Sequence, residues 1–154
     1  DRLSERSGVR LIDFENFDNN SFHVVTELTC KNGDDEFRPD ITLLINGMPL
    51  IHLELKKSGV SVLQAANQIE KYSREGVFSG LFSLVQIFVA MEPAEALYFA
   101  NPGRDGKFNP DFYFHWANTN NEPVNHWKEV AEKLLSIPMA HQLIGFWFFR
   151  VFRG

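Results

Sequence analysis

The chain has 154 residues, a net charge of −5, 44% hydrophobic and 14% aromatic content, and a single cysteine. That is enough for one domain with a sizeable core, and it excludes a disordered segment or an internal disulfide framework. The acidic balance argues against a free-standing, tight nucleic-acid binder, and the longest apolar runs, Leu84–Met91 and Leu143–Phe149, fall short of a membrane span.

Residues 1–20 are polar and without clear periodicity, and they read as a linker or irregular entry segment. Phe22 to Thr29 is rich in β-branched residues and reads as a strand, followed by a turn at Lys31-Asn32-Gly33-Asp34. Cys30 reads as a buried or half-buried small residue, which suits a reducing cytoplasm.

Glu36 to Tyr72 reads as strand, tight turn, strand and helix. Ile41, Leu43 and Ile45 alternate in the first strand, and Asn46-Gly47 is a hairpin signal. A two-residue loop would pair Asp40 with Leu53 on the apolar face. A three-residue loop, Asn46-Gly47-Met48, pairs Asp40 with Glu54 and Ile41 with Leu53, and buries Ile41, Leu43, Ile51 and Leu53 together. The second register is the expected one. It sets Asp40, Glu54 and Lys56 on one face, because strand side chains alternate.

Two carboxylates beside an ammonium suit a hard cation such as Mg²⁺, which takes carboxylate oxygens and keeps several waters. For an isolated Glu-x-Lys the plainer reading is a solvated strand face carrying an ion pair, but Pro-Asp, a hairpin, Glu-x-Lys and then a helix favour the site. His52 shares the Glu54 face, where it could touch substrate or serve as a hydrogen-bonded structural histidine. The five histidines show no zinc spacing.

The next helix begins at Ser61 with a capping box to Gln64, and Val62, Ala65, Ala66 and Ile69 form its apolar stripe. Gln68 and Tyr72 are four apart and therefore neighbours on one helix face. Leu84–Ala90 and Ala96–Ala100 read as strands, with Glu92-Pro93 at the turn between them. The glycine-rich loop Asn101–Lys107 matches no phosphate-binding spacing and reads as a plain turn. Asp111–Trp116 alternates as a strand, and Val124–Leu135 is helical until Ile137-Pro138. Phe146–Gly154 reads as an edge strand, a stub toward a further domain, or a join. Basic residues gather as Lys56, Lys57, Lys71 and Arg74, then Arg104 and Lys107, then Arg150 and Arg153.

Pro39-Asp40, Glu54-Leu55-Lys56 and Gln68 with Tyr72 together resemble the PD-(D/E)xK nuclease superfamily with its QxxxY helix motif. The flanking text ITLLINGMPLIHLELKK, AANQIEKYS, LYFANP and DFYFHWA is similar to the restriction subunit of type I restriction-modification enzymes, from about Phe22 to Gly145. The resemblance implies an α/β fold, a mixed central β-sheet flanked by helices. It divides the chain into an entry segment at 1–20, a nuclease domain at 21–145 and a tail at 146–154 that leads toward a motor domain absent from this chain.

The activity implied is Mg²⁺-dependent endonucleolytic hydrolysis of DNA in the cytoplasm. Asp40, Glu54 and the Leu55 carbonyl would hold the metal, and Lys56 would position water or offset charge. Gln68 and Tyr72 would orient the site or touch DNA. The implied partners are double-stranded DNA, modification and specificity subunits and the protein's own motor, with no membrane. The alternatives are a helicase-coupled repair exonuclease and an inactive docking module.

Two departures stand out. No clear helix bearing an acidic residue precedes Asp40, where Glu15 and Glu27 are the candidates. No G-x-x-x-x-G-K-[ST] motif exists, so ATP would be used only through a motor outside this chain.

Overall fold

The computed structural model describes residues 11–32, 35–103 and 106–152. The first half of the entry segment, the Gly33-Asp34 tip, Arg104 and Asp105 of the glycine-rich loop, and residues 153–154 lie outside them. So do the side chains of Cys30, Asn32 and Asp35 and of residues 147–152.

The chain runs through β1 (Phe22–Thr26), the small hairpin β2 (Cys30–Asn32) and β3 (Asp35–Phe37), then β4 (Ile41–Ile45), β5 (Met48–Leu55) and α1 (Val62–Arg74). β6 (Ile87–Glu92) and β7 (Glu95–Ala100) follow, then the short pair β8 (Trp116–Ala117) and β9 (Pro123–Val124), α2 (Trp127–Lys133) and α3 (Ile137–Phe152). The main sheet has the order β1-β4-β5-β6-β7. Among the described strands only β5 and β6 pair in parallel, and α1 is the crossover that a parallel pair requires. The fold is therefore the expected α/β one, a mixed sheet flanked by helices, of the PD-(D/E)xK restriction-endonuclease-like kind.

Both faces of the sheet are covered. On one, Ile51 and Leu53 of β5 and Ile87, Val89 and Met91 of β6 pack with Val130, Leu134, Ala140 and Ile144 of α2 and α3 and its approach. On the other, Val62, Ala65, Ala66 and Ile69 of α1 cover Phe88, Ala90, Leu97 and Phe99. These four α1 residues are the stripe expected from the sequence. Ser61 caps the helix, its hydroxyl accepting from the Leu63 N–H at 3.3 Å.

The register at the hairpin is the expected one, Ile41 opposite Leu53, but a different device sets it. The turn has two residues, Asn46 (φ 51°) and Gly47 (φ 78°), so Ile45 faces Met48. The extra residue sits instead in a β-bulge, where Leu43 pairs with Ile51 and Leu44 with Pro49, leaving Leu50 over. Pro49 has no N–H to give the ladder, which favours an irregularity there.

Several local expectations give way to tertiary contacts. Glu27 adopts φ 51°, ending β1 three residues before Thr29. Leu84 closes a 3-10 turn rather than opening a strand. Asp111–Trp116 is not a strand: Asn109 caps a 3-10 turn at Pro110–Phe112, and only Phe114 bridges to Tyr98. Val124 belongs to β9, and the helix after it starts at Trp127 with His126 as its cap. In the glycine-rich loop Asn101 Oδ1 accepts from the Gly103 N–H at 2.9 Å.

Helix α3 corrects the edge-strand reading of Phe146–Gly154: it runs unbroken across position 146 to Phe152. Ala140, His141, Ile144 and Gly145 form its buried face at helical spacing. Gly145 lets Phe14 of the entry segment approach, since a Cβ there would lie 3.0 Å from the ring. The described half of that segment is packed rather than loose. Ile12 is in the core, and His141 Nε2 lies 2.7 Å from the Asp13 carbonyl.

Candidate active site

The expected site residues meet at the end of β5 on the face that α1 covers. Asp40 stands just ahead of β4, and its Oδ2 accepts from the Leu55 main-chain N–H at 2.7 Å. Glu54 lies beside it with its side chain only 5% exposed, and its Oε1 accepts from Lys56 Nζ at 3.1 Å. The Lys56 N–H donates to the Met91 carbonyl at 2.8 Å, which carries the β5–β6 pairing past the last strand residue and fixes where the ammonium stem begins.

The solvated-face alternative is therefore overturned for Glu54. Alternation put its carboxylate on the polar face, and α1 then buried that face. Burial holds the Asp40 carboxyl above the ordinary value of 3.8. The Leu55 N–H opposes that rise, the Glu54 charge adds to it and the Lys56 ammonium lowers it.

Gln68 and Tyr72 are half-buried on α1, one helical turn apart. Burial raises the Tyr72 hydroxyl above 10.0, and Glu54 and Asp40 raise it further by charge, so the hydroxyl stands within the field of both carboxylates. Phe37, unremarked in the sequence, packs edge-on to Tyr72 with centroids 6.0 Å apart. No local pattern signals that contact, because the two residues belong to separate elements.

His52 fits neither of its expected roles. It is wholly buried, so it does not reach substrate, and neither ring nitrogen has a hydrogen bond among the described residues. Of the candidate extra acids, Glu27 turns outward to Arg38 at 3.4 Å, although its N–H donates to the Asp40 carbonyl. Glu15 lies in the entry segment beside Asp13, whose Oδ1 accepts its N–H.

Among the described residues no three His, Cys, Asp or Glu side chains gather as a metal cluster. The expected donor set is two carboxylates and a main-chain carbonyl, and one buried carboxylate oxygen, Glu54 Oε2, has no hydrogen-bond partner among the described residues. Hard oxygen donors in that number fit Mg²⁺, which leaves the rest of its sphere to water and phosphate oxygens. No helix among the described residues is long and apolar enough to cross a membrane.

The family model for the type I restriction enzyme R protein N terminus matches residues 2–107. The type I restriction enzyme EcoprrI endonuclease subunit of Escherichia coli is 36% identical over 125 residues, covering 80% of this chain and 40% of that protein. The SauMSSORF170P endonuclease subunit of Staphylococcus aureus is 30% identical over 136 residues, covering 87% and 14%. The putative MjaVIIIP endonuclease subunit of Methanocaldococcus jannaschii is 36% identical over 120 residues, covering 74% and 11%. The chain thus spans less than half the length of each of these relatives.

Proposed function

The chain belongs to the family of type I restriction enzyme R protein N-termini, and we propose that it is the nuclease domain of such a subunit, hydrolysing DNA phosphodiester bonds with Mg²⁺. The observation that carries this reading is the convergence of Asp40, Glu54 and Lys56 beside the Tyr72 hydroxyl. The register Ile41 opposite Leu53 produces that convergence.

Asp40, Glu54 and the Leu55 carbonyl would hold the cation. When bound, it would supply positive charge to the phosphoryl group under attack and favour deprotonation of the attacking water. The Leu55 N–H fixes the Asp40 carboxylate, so one oxygen is anchored to the strand that carries Glu54. Lys56 holds its ammonium against Glu54 Oε1, where it would orient a water and offset the negative charge developing on the phosphoryl oxygens. Gln68 and Tyr72 brace the site from α1 or contact the DNA backbone.

The relatives are named as restriction endonuclease subunits, which favours this reading over a repair exonuclease. We assign ATP-driven translocation to chain outside these residues, and the modification and specificity subunits are the proposed partners. Cleavage of a circular plasmid by the reconstituted complex tests the proposal. Asp40→Ala and Glu54→Ala are expected to abolish cutting and to leave ATP hydrolysis in place. Undiminished cutting by either variant would refute the assignment.

A further inference from the structure

His52 is an expensive residue in its position. Its ring is wholly buried, and Phe78 and Phe88 hold it with centroids 5.3 and 6.2 Å away. Both ring nitrogens are buried without a hydrogen bond among the described residues. A polar group desolvated and left unsatisfied weakens the fold, and an aliphatic side chain would sit among those rings without that loss.

The polar group facing the imidazole is Glu54. His52 Nε2 lies 3.7 Å from Glu54 Oε2, just outside direct hydrogen bonding, and Oε2 is the other buried unpaired atom of the pair. The second oxygen, Oε1, is taken by Lys56 Nζ at 3.1 Å. The carboxylate is therefore bracketed, with Lys56 on one oxygen and the imidazole on the other. The backbone holds this arrangement: the two residues are two apart on β5, and the parallel ladder pairs His52 with Phe88 and Glu54 with Ala90. Thr42, opposite His52 across the hairpin, adds a third buried and unpaired polar group to the same face.

We propose that His52 is a positioning residue: a proton on Nε2, directed at Oε2, holds the second oxygen of the Glu54 carboxylate in the site while Lys56 holds the first. Two ring nitrogens without any other hydrogen bond among the described residues leave the imidazole free for this contact, and the Phe78–Phe88 clamp fixes its direction. Groups that orient a ligating carboxylate in this way typically change metal affinity or activity by about 10–100-fold when removed. The inference rests on Glu54 being a cation ligand, as proposed above.

The test uses the full-length subunit with His52→Leu, His52→Phe and His52→Gln, beside Asp40→Ala and Glu54→Ala. Thermal melting, Mn²⁺ titration without nucleotide, and plasmid cleavage are measured on each. The apolar variants are expected to melt at or above the wild-type temperature while binding Mn²⁺ about 10–100-fold more weakly and losing cleavage in step. His52→Gln, which returns an N–H near the Nε2 position, is expected to recover part of both. Wild-type Mn²⁺ affinity in the apolar variants overturns the proposal. So does failure of both apolar variants to fold, since the imidazole would then be structural, and so does a glutamine variant no better than leucine. If Asp40→Ala and Glu54→Ala leave Mn²⁺ binding untouched, the reading of the site itself falls. If they abolish it while His52→Leu does not, only the role of His52 falls.

Discussion

The main-chain N–H of Leu55 donates to Asp40 Oδ2 at 2.7 Å, so the residue that opens one strand of the hairpin is tied to the end of the other. The bond joins positions fifteen apart in sequence and makes the two proposed ligand carboxylates parts of one rigid unit.

Burial lifts the Asp40 carboxyl above 3.8, so the folded protein binds that proton more tightly than the unfolded chain does. The stability this residue contributes is present in acid and is lost as pH rises through the raised value. Asp40→Asn removes the ionisation while leaving an oxygen for the Leu55 N–H. It is expected to melt at or above the wild-type temperature at neutral pH and to flatten the dependence of melting temperature on pH between neutrality and 3.8. Mg²⁺ affinity should fall in the variant, and in the wild type it should weaken as pH drops through the raised value. Calorimetric melts and titrations across pH measure both.

Lys56 neutralises a carboxylate that is 5% exposed, while its own side chain is 25% exposed. Lys56→Gln is expected to cost about 1–3 kcal/mol, because Glu54 loses a charged partner while buried. Cleavage should drop on the order of 10²–10³-fold, with cation binding and ATP hydrolysis by the full-length complex retained. Denaturant titration and plasmid cleavage with ATPase measured in the same tube separate these effects. Wild-type cutting would make the ammonium a structural ion-pair partner alone.

The Tyr72 hydroxyl stands in the field of both carboxylates, while its ring packs on Phe37. Tyr72→Phe keeps the ring contact and removes only the hydroxyl. Cleavage is expected to fall about 10–100-fold with little change in cation affinity or melting temperature. Equal rates for the two proteins would return Tyr72 to the core.

Asn46 clamps the entry segment to the hairpin. Its Oδ1 accepts from the Ser21 N–H at 2.8 Å, and its Nδ2 donates to the Leu11 carbonyl and to Asn20 Oδ1, each at 2.9 Å. Asn46→Ala loses these bonds and strains a residue at φ 51°, for an expected cost of about 2–3 kcal/mol. Asn46→Gly relieves the strain and is expected to cost about 1–2 kcal/mol. Chemical denaturation of both variants apportions turn and clamp; equal losses would mean that conformation contributes nothing.

What the sequence determined by itself was local. The α1 stripe Val62, Ala65, Ala66 and Ile69, its Ser61 cap and the Asn46-Gly47 turn follow from spacing and backbone preference over a few residues. The shared face of Asp40, Glu54 and Lys56 follows from strand alternation once Ile41 pairs with Leu53. Tertiary structure decided the rest. The Leu50 bulge arose because the register had to bury Ile51 and Leu53 around a proline that gives no N–H. Helix α3 stayed hidden because its apolar residues run almost continuously, and its contact face appears only where Phe14 and Ile12 fold back against it. Whether Glu54 and His52 faced water or protein depended on α1 crossing over the sheet to reach β6. The period of a strand sets which side a residue takes, and only long-range packing sets what covers that side.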